Sequence, residues 1–383
     1  MSEYQYYEFA AIDRPLTRTE MAELRAVSTR AVITPTRFTN HYEWGDLKAN
    51  PDDWMRRYFD AFVYLANWCT CQLSLRLPKA DFCKAELQPF ASRSTLSVNS
   101  SSTHWILHWT LDESEDDDRF ATDDGSGWMR RLAPLRDELL RGDLRSLYLG
   151  WLAGANSLDD DALEPEVPPD LAELSSAQQA LAEFLEIDPD LLEAARVGST
   201  ASPPLGGDEA QRMAAWLDTW QAPNMKDVLK RIALGQGQEA ERQVKSHYAA
   251  WLKAQCPISS PDSPRRCVAE LRELARSAAT VRREREARAR EAREAEQRRQ
   301  HETYLRSLMR RCDQYWKQAD SEATRGVASG YERAAHLLST LAEGYALVSS
   351  RKAFDRELRR FLVPHARRAA LLRRLTDAGL WSG

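Results

Sequence analysis

VRREREARAREAREAEQRRQ, residues 281–300, holds eight arginines and five glutamates in twenty positions, and after Val281 no aliphatic side chain larger than alanine. Its reading decides how the second half of the chain folds: as half of a coiled coil, as a grip on nucleic acid, or as a solvated rod. At about 100° per residue, Arg282, Arg283, Arg285, Arg288, Arg290, Arg293, Arg298 and Arg299 spread around most of a helical wheel. Glu284, Glu286, Glu291, Glu294 and Glu296 do the same. A helix that tracks phosphates gathers its cations on one side, and a coiled coil needs large apolar residues at its a and d positions. This stretch offers only Ala287, Ala289, Ala292 and Ala295. The spacing does provide local support. Glu284–Arg288, Glu286–Arg290 and Glu294–Arg298 each place the acid four residues before the base, contributing about 0.2–0.5 kcal/mol apiece, on a backbone of strong helix formers. A helical, solvated spacer is the expectation.

The flanks differ. Val268, Leu271, Leu274 and Val281 precede the charged stretch, and Leu305, Leu308, Met309, Cys312, Tyr315 and Trp316 come after it at core-like spacing. The pattern predicts one helix from about Val268 to Trp316 whose two ends dock and whose middle is bare. Beyond "DSEATRGVASG" a helical pair is expected, "YERAAHLLSTLAEGYALVS" and "RKAFDRELRRFLVPHARRAALLRRLTDAGLW". From Arg265 onward the chain carries 27 Lys and Arg against 16 Asp and Glu, and the preceding 264 residues carry 26 against 42. Such an asymmetry fits contact with nucleic acid or an acidic partner, or attraction between the halves.

Working back toward the N-terminus, "EAQRMAAWLDTW" and "MKDVLKRIALGQGQEAERQVKSHYAAWLKA" read as helices, the second hinged at "GQG". "GSTASPPLGGD" (198–208) reads as a linker and "CPISSPDSPRRC" as a loop. Residues 128–197 read as helical, with Asp188 as N-cap and Pro189 at the first helical position.

Residues 1–127 alternate instead. "YQYYEFAAID" is an aromatic strand, and Thr17 with Glu20 has capping-box spacing. Pro35 in "RAVITPTRFTNHYEW" points to an edge strand or a break. "PDDWMRRYFDAFVYLANW" starts like a helix at Pro51 and runs apolar for some distance. "CQLSLRLP" puts Leu73, Leu75 and Leu77 on one face and Gln72, Ser74 and Arg76 on the other, and "STLSVNSSSTHWILHWTLD" gives two strands meeting at "NSSS".

The expected fold class is α+β: an N-terminal mixed sandwich-type domain with helices on one face (1–127), then a mostly helical, helical-repeat-like region with a long charged helix. The segments are a helical middle (128–197), a linker (198–208), a helical region (209–264), the long helix (265–320) and a C-terminal helical hairpin (321–383).

Sites are sparse. Cys69 and Cys71 fall on one side if both lie on a strand, Cys83 is near in sequence, and His104 and His108 share a strand face. Thiolate and imidazole suit zinc, but Cys-x-Cys with no second pair lacks the usual structural spacing, so small buried thiols and partly exposed histidines are expected. The acidic run Asp112–Asp124 lacks EF-hand alternation and a terminal glutamate and reads as a solvated loop. Tyr4 and Tyr6 on one side of the first strand, Tyr7 and Phe9 on the other, could offer stacking faces to a single strand, though half should be core and the domain is acidic. No nucleophile elbow, phosphate loop or zinc-protease motif is present. No catalytic, cofactor-binding or metal residue is assigned, and no cofactor. Without an apolar run long enough for a membrane span or a leader-like start, and with six cysteines in a chain this long, a cytoplasmic protein with reduced thiols is expected.

"YQYYEFAAIDRPLT" with "RYFDAFVYLANW", and the terminal "GYERAAHLLSTLAE" with "HARRAALLRRLTDAGL", resemble an uncharacterised family of bacterial hypothetical proteins. The tail also loosely resembles a tetratricopeptide-type helix pair. The resemblance implies a cytoplasmic protein with a helical C-terminal half and supplies no catalytic residue. The reading is a non-catalytic scaffold or adaptor that binds protein partners through helical surfaces. Nucleic-acid association through the basic C-terminal region is the alternative, and no membrane partner is expected.

Overall fold

The computed structural model describes residues 3–92, 94–112, 124–200, 209–235, 237–255 and 265–381. The linker positions 201–208, the acidic run 113–123 and loop residues 256–264 lie outside the described residues. The chain divides into two units, 1–280 and 281–383.

In the first unit, strand β1 (Gln5–Ala10) leads to helix α1 (Arg18–Val27). The Thr17 hydroxyl accepts from the Glu20 amide at 3.2 Å, and the Glu20 carboxylate accepts from the Thr17 amide at 2.7 Å. This reciprocal cap satisfies two helix-end donors at once. Pro35 splits the next segment into β2 (Val32–Thr34) and β3 (Arg37–Tyr42), with β2 at the sheet edge. Asn50 caps α2 (Pro51–Arg57), which ends sooner than expected, and the apolar run after it is strand β4 (Ala61–Ala66). The cause is tertiary. The Asp60 carboxylate accepts the amides of Ile12 and Asp13 at 2.7 and 2.8 Å and the Arg76 guanidinium at 2.6 Å. With that carboxylate pinned, the segment is drawn into the sheet, and a strand buried on both faces has no period that separates it from a buried helix. Next come β5 (Thr70–Pro78), α3 (Lys84–Leu87), β6 (Leu96–Ser100) and β7 (His104–Leu111).

Seven strands among the described residues form one antiparallel sheet in the order β2-β3-β1-β4-β5-β7-β6. On one face Phe9, Phe38, Phe62 and Ile106 pack under Leu24 of α1 and Trp54 and Met55 of α2. Phe9 stacks on Phe62 with centroids 4.2 Å apart. The other face carries Val63, Leu65, Leu73, Leu75, Leu107 and Trp109. It is covered by α4 (Trp128–Leu132), α5 (Pro134–Leu140), α6 (Arg145–Ala153), α7 (Ser176–Phe184) and α8 (Pro189–Arg196). Helices therefore cover both faces, not one, and residues 128–197 share a core with the sheet. At Gly150 a Cβ would stand 2.6 Å from the Trp109 indole, whose N–H donates to the Ser146 carbonyl at 3.0 Å. The indole occupies the room a side chain there would need.

Three more helices, α9 (Glu209–Leu217), α10 (Ala222–Ala233) and α11 (Gly237–Gln255), gather around Trp216 and Tyr248, whose rings lie 5.1 Å apart. The chain then returns to α8. Leu163 and Cys267 form an antiparallel bridge, and Arg266 holds the buried Glu164 carboxylate at 2.7 and 2.8 Å and donates to the Ala194 carbonyl at 3.1 Å. Helix α12 (Val268–Met309) starts there, with Val268 and Leu271 in the sheet-side core.

In the second unit α12 is bare over 282–304, where Ala287 and Ala295 alone are partly covered. Arg288 pairs with Glu284 at 3.6 Å, while Glu286 takes Arg282 at 3.0 Å in place of the expected Arg290. Helix α12 stops at Met309 instead of continuing to Trp316, because Arg311 leaves helical geometry (φ −126°, ψ 26°). Four helices complete this unit: α13 (Cys312–Thr324), α14 (Ala328–Val348), α15 (Arg351–Leu362) and α16 (Ala369–Asp377). The segment expected as the second arm of a hairpin is thus two helices, parted around Pro364. Leu308, Leu338, Leu341, Phe354, Leu358, Phe361, Leu371 and Leu375 form their core.

Candidate functional site

The densest group of chemistry-bearing side chains lies between α2 and the sheet. Alternation along β5 and β7 sends Gln72, Ser74 and Arg76, and His104 and His108, to the α2 face, and cross-strand pairing sets Ser74 opposite His108. The His108 Nδ1 lies 2.8 Å from the Ser74 hydroxyl and 3.1 Å from the Gln72 amide nitrogen. Its Nε2 lies 3.2 Å from the Asn99 amide and 3.7 Å from the Asp52 carboxylate. Burial pushes the His108 pKa down, Asp52 opposes this and Arg56 adds to it, so the net shift is downward.

Serine, imidazole and carboxylate are the parts of an acyl-transfer triad, but their placement works against that chemistry. Ser74 has no exposed surface and sits in mid-strand beneath α2. A nucleophile has to reach a substrate carbonyl at near contact, and Ser74 reaches none while α2 is seated. The arrangement instead satisfies polar groups that helices on both faces have buried.

Beside it lies a buried ionic chain. Asp60 binds Arg76, the Arg76 carbonyl accepts from Arg136 Nε at 2.8 Å, and Arg136 Nη2 reaches Asp13 at 2.9 Å. Burial raises the Asp60 pKa, but the Arg76 and Arg136 guanidiniums and the Asp13 amide outweigh it and hold the carboxyl below its ordinary value. These four side chains tie β1, β4 and β5 to α5.

The sulfur and imidazole candidates do not meet. Cys69 lies in the β4–β5 turn with φ 67°, not on the strand, so the expected shared face with Cys71 does not exist. Cys71 faces the helical layer and donates to the Phe184 carbonyl at 3.1 Å, whereas His104 and His108 face α2. The sheet itself separates them. Cys83 is exposed at the start of α3. Among the described residues no group of three or more His, Cys, Asp or Glu could hold a metal ion. His108, expected to be partly exposed, is buried, and so are Tyr6, Tyr7 and Phe9, because both sheet faces are covered. A groove of about 550 Å³ along α12 is lined by Arg283, Glu286, Ala287, Ala289, Arg290 and Arg293, all from one helix, so those residues give it no opposing wall.

Two helical surfaces stand apart from the sheet-side groups. On α10, Met225, Leu229 and Ile232 share one face and are 36%, 65% and 50% exposed. On α15, Phe354, Leu358, Phe361 and Leu362 turn inward, which leaves Lys352, Arg356, Arg359 and Arg360 outward. The spacing of those apolar residues was the available signal. Among the described residues no helix is long and apolar enough to cross a membrane. No protein-family model, curated protein or solved structure matches the chain.

Proposed function

We propose that this protein is a non-catalytic scaffold or adaptor that binds protein partners through helical surfaces, and that α10 is one of them. The observation that carries the reading is the α10 stripe. A helix with three large apolar residues at i, i+4 and i+7 normally buries them, yet α10 has no buried residue. Lys226 and Lys230 border the stripe on one side. An amphipathic partner helix fits such a face, apolar along its centre. An acidic flank on that helix would complement the bordering cations. The sealing of Ser74 beneath α2 supports a role other than turnover.

The test compares the full chain with a Leu229→Ser/Ile232→Ser variant. Both positions are exposed, so thermal unfolding should be unchanged. A partner that co-purifies stoichiometrically with the wild type should be lost from the variant, and crosslinks from it should map to α10. Equal retention by both proteins, or a turnover inseparable from the purified chain, would overturn the reading.

A further inference from the structure

We propose that the outer face of α15 is a sequence-independent binding surface for the phosphate backbone of duplex DNA. At about 100° per residue, Lys352, Arg356, Arg359 and Arg360 fall within an arc of roughly 100° on the side opposite Phe354, Leu358 and Phe361. Asp355 and Glu357, the acids of this helix, lie outside the arc, one beyond each edge. This is the one-sided gathering of cations that α12 lacks. From Arg351 to Arg374 the chain carries nine Lys and Arg against those two acids.

Pairing leaves much of the charge available. Arg360 is held by Glu357 at 3.0 Å, and Arg356 lies 3.6 Å from the same carboxylate. Lys352 and Arg359 have no acidic partner among the described residues. The face is held in place from behind. His365 Nε2 meets Asp320 at 2.8 Å and Arg368 bonds to the Ala323 carbonyl, which seats the α15–α16 connector on α13.

Two features select duplex DNA among polyanions. The aromatic side chains of α15, Phe354 and Phe361, are buried, so the helix offers no stacking platform of the kind single-strand binders use. The cations run along about 12 Å of helix, roughly three to four base-pair rises on one strand. A straight cationic helix of that length fits the open B-form groove margin. It does not fit the deep, narrow major groove of A-form RNA. The proposed contact is to phosphate oxygens, which position the helix and carry no sequence information.

The test is fluorescence anisotropy of a mixed-sequence 24-base-pair DNA duplex with the full chain at 50 to 200 mM salt. Four neutralised phosphates give a log–log slope of about −3.6, hence roughly a hundredfold loss of affinity across that range. Lys352→Gln/Arg356→Gln/Arg359→Gln should flatten this to about threefold, and Arg359→Gln alone should reduce the slope by about 0.9. Arg288→Gln/Arg290→Gln/Arg293→Gln on α12 should leave it unchanged. The proposal is overturned by no binding at 50 mM salt, or by an unchanged slope in the α15 variants. Tighter binding of single strands or duplex RNA would overturn it too, as would capture of polyglutamate without duplex DNA, which would assign the face to an acidic protein.

Discussion

His108 is buried, and its lowered pKa links stability to pH. The folded state resists protonation while the unfolded chain protonates near the ordinary histidine value of about 6.5. Below that value the unfolded state binds more protons, so stability rises with pH through this window and is lost as pH falls toward the folded pKa. His104 shifts the same way, through burial and then through repulsion by Arg76. The urea midpoint of the wild type should therefore drop between pH 7.5 and 5.5. His108→Gln, which keeps a polar group beside Ser74, should show a shallower drop, the remainder coming from His104. Parallel curves would mean that His108 is not held neutral. At this scale the sequence placed His104 and His108 on one strand face and the leucines of β5 on the other. It did not show that α2 covers the polar face, because alternation states which side chains share a side and not whether that side is wet. The Asp60–Arg76–Asp13–Arg136 chain joins positions up to 123 apart and has no local pattern at all.

Among the elements, α12 is the most exposed to test. Over 282–304 its support is one-helix support: backbone bonds, helix propensity and ion pairs worth a few tenths of a kcal/mol each. Local opening costs least where few apolar groups are covered. Amides from Glu284 to Arg299 should exchange at least about a hundredfold faster than those of Leu338 and Leu341 in the α14 core, and faster still in 1 M salt. Equal protection would mean that α12 is covered in solution. The start of this helix and the docking of both its ends were legible from the apolar residues on either side of the charged run. Its end was not, since the break at Arg310–Arg311 involves no glycine or proline. β4 was hidden for a different reason: a short apolar run supports helix and strand equally until Asp60 is anchored.

At the scale of the whole molecule, the second unit has a core drawn from its own five helices, with Leu338 and Leu341 at no exposure. The 281–383 fragment should unfold cooperatively in urea. Leu338→Ala should cost about 2–5 kcal/mol, by the same amount in the fragment and in the second transition of the full chain. A fragment without cooperative unfolding would show that its core needs the remainder. The α+β class and the switch to helix at Trp128 were visible in composition and periodicity. The shared core of sheet and middle helices was not, because "DESEDDDRFATDDGSG" looks like a boundary and packing across it leaves no trace in the intervening residues.

After α8 the chain leaves the sheet-side core and later comes back to it. The Thr200 carbonyl accepts from the Asp170 amide at 3.0 Å, and Arg266 sits 2.5 Å from where a Gly198 side chain would begin. The polypeptide therefore departs and re-enters at almost the same spot, with both stumps anchored by the framework. In genetic terms residues 201–264 form a cassette. A segment entered and left through two adjacent, anchored points is the arrangement that best tolerates exchange for a sequence of another length.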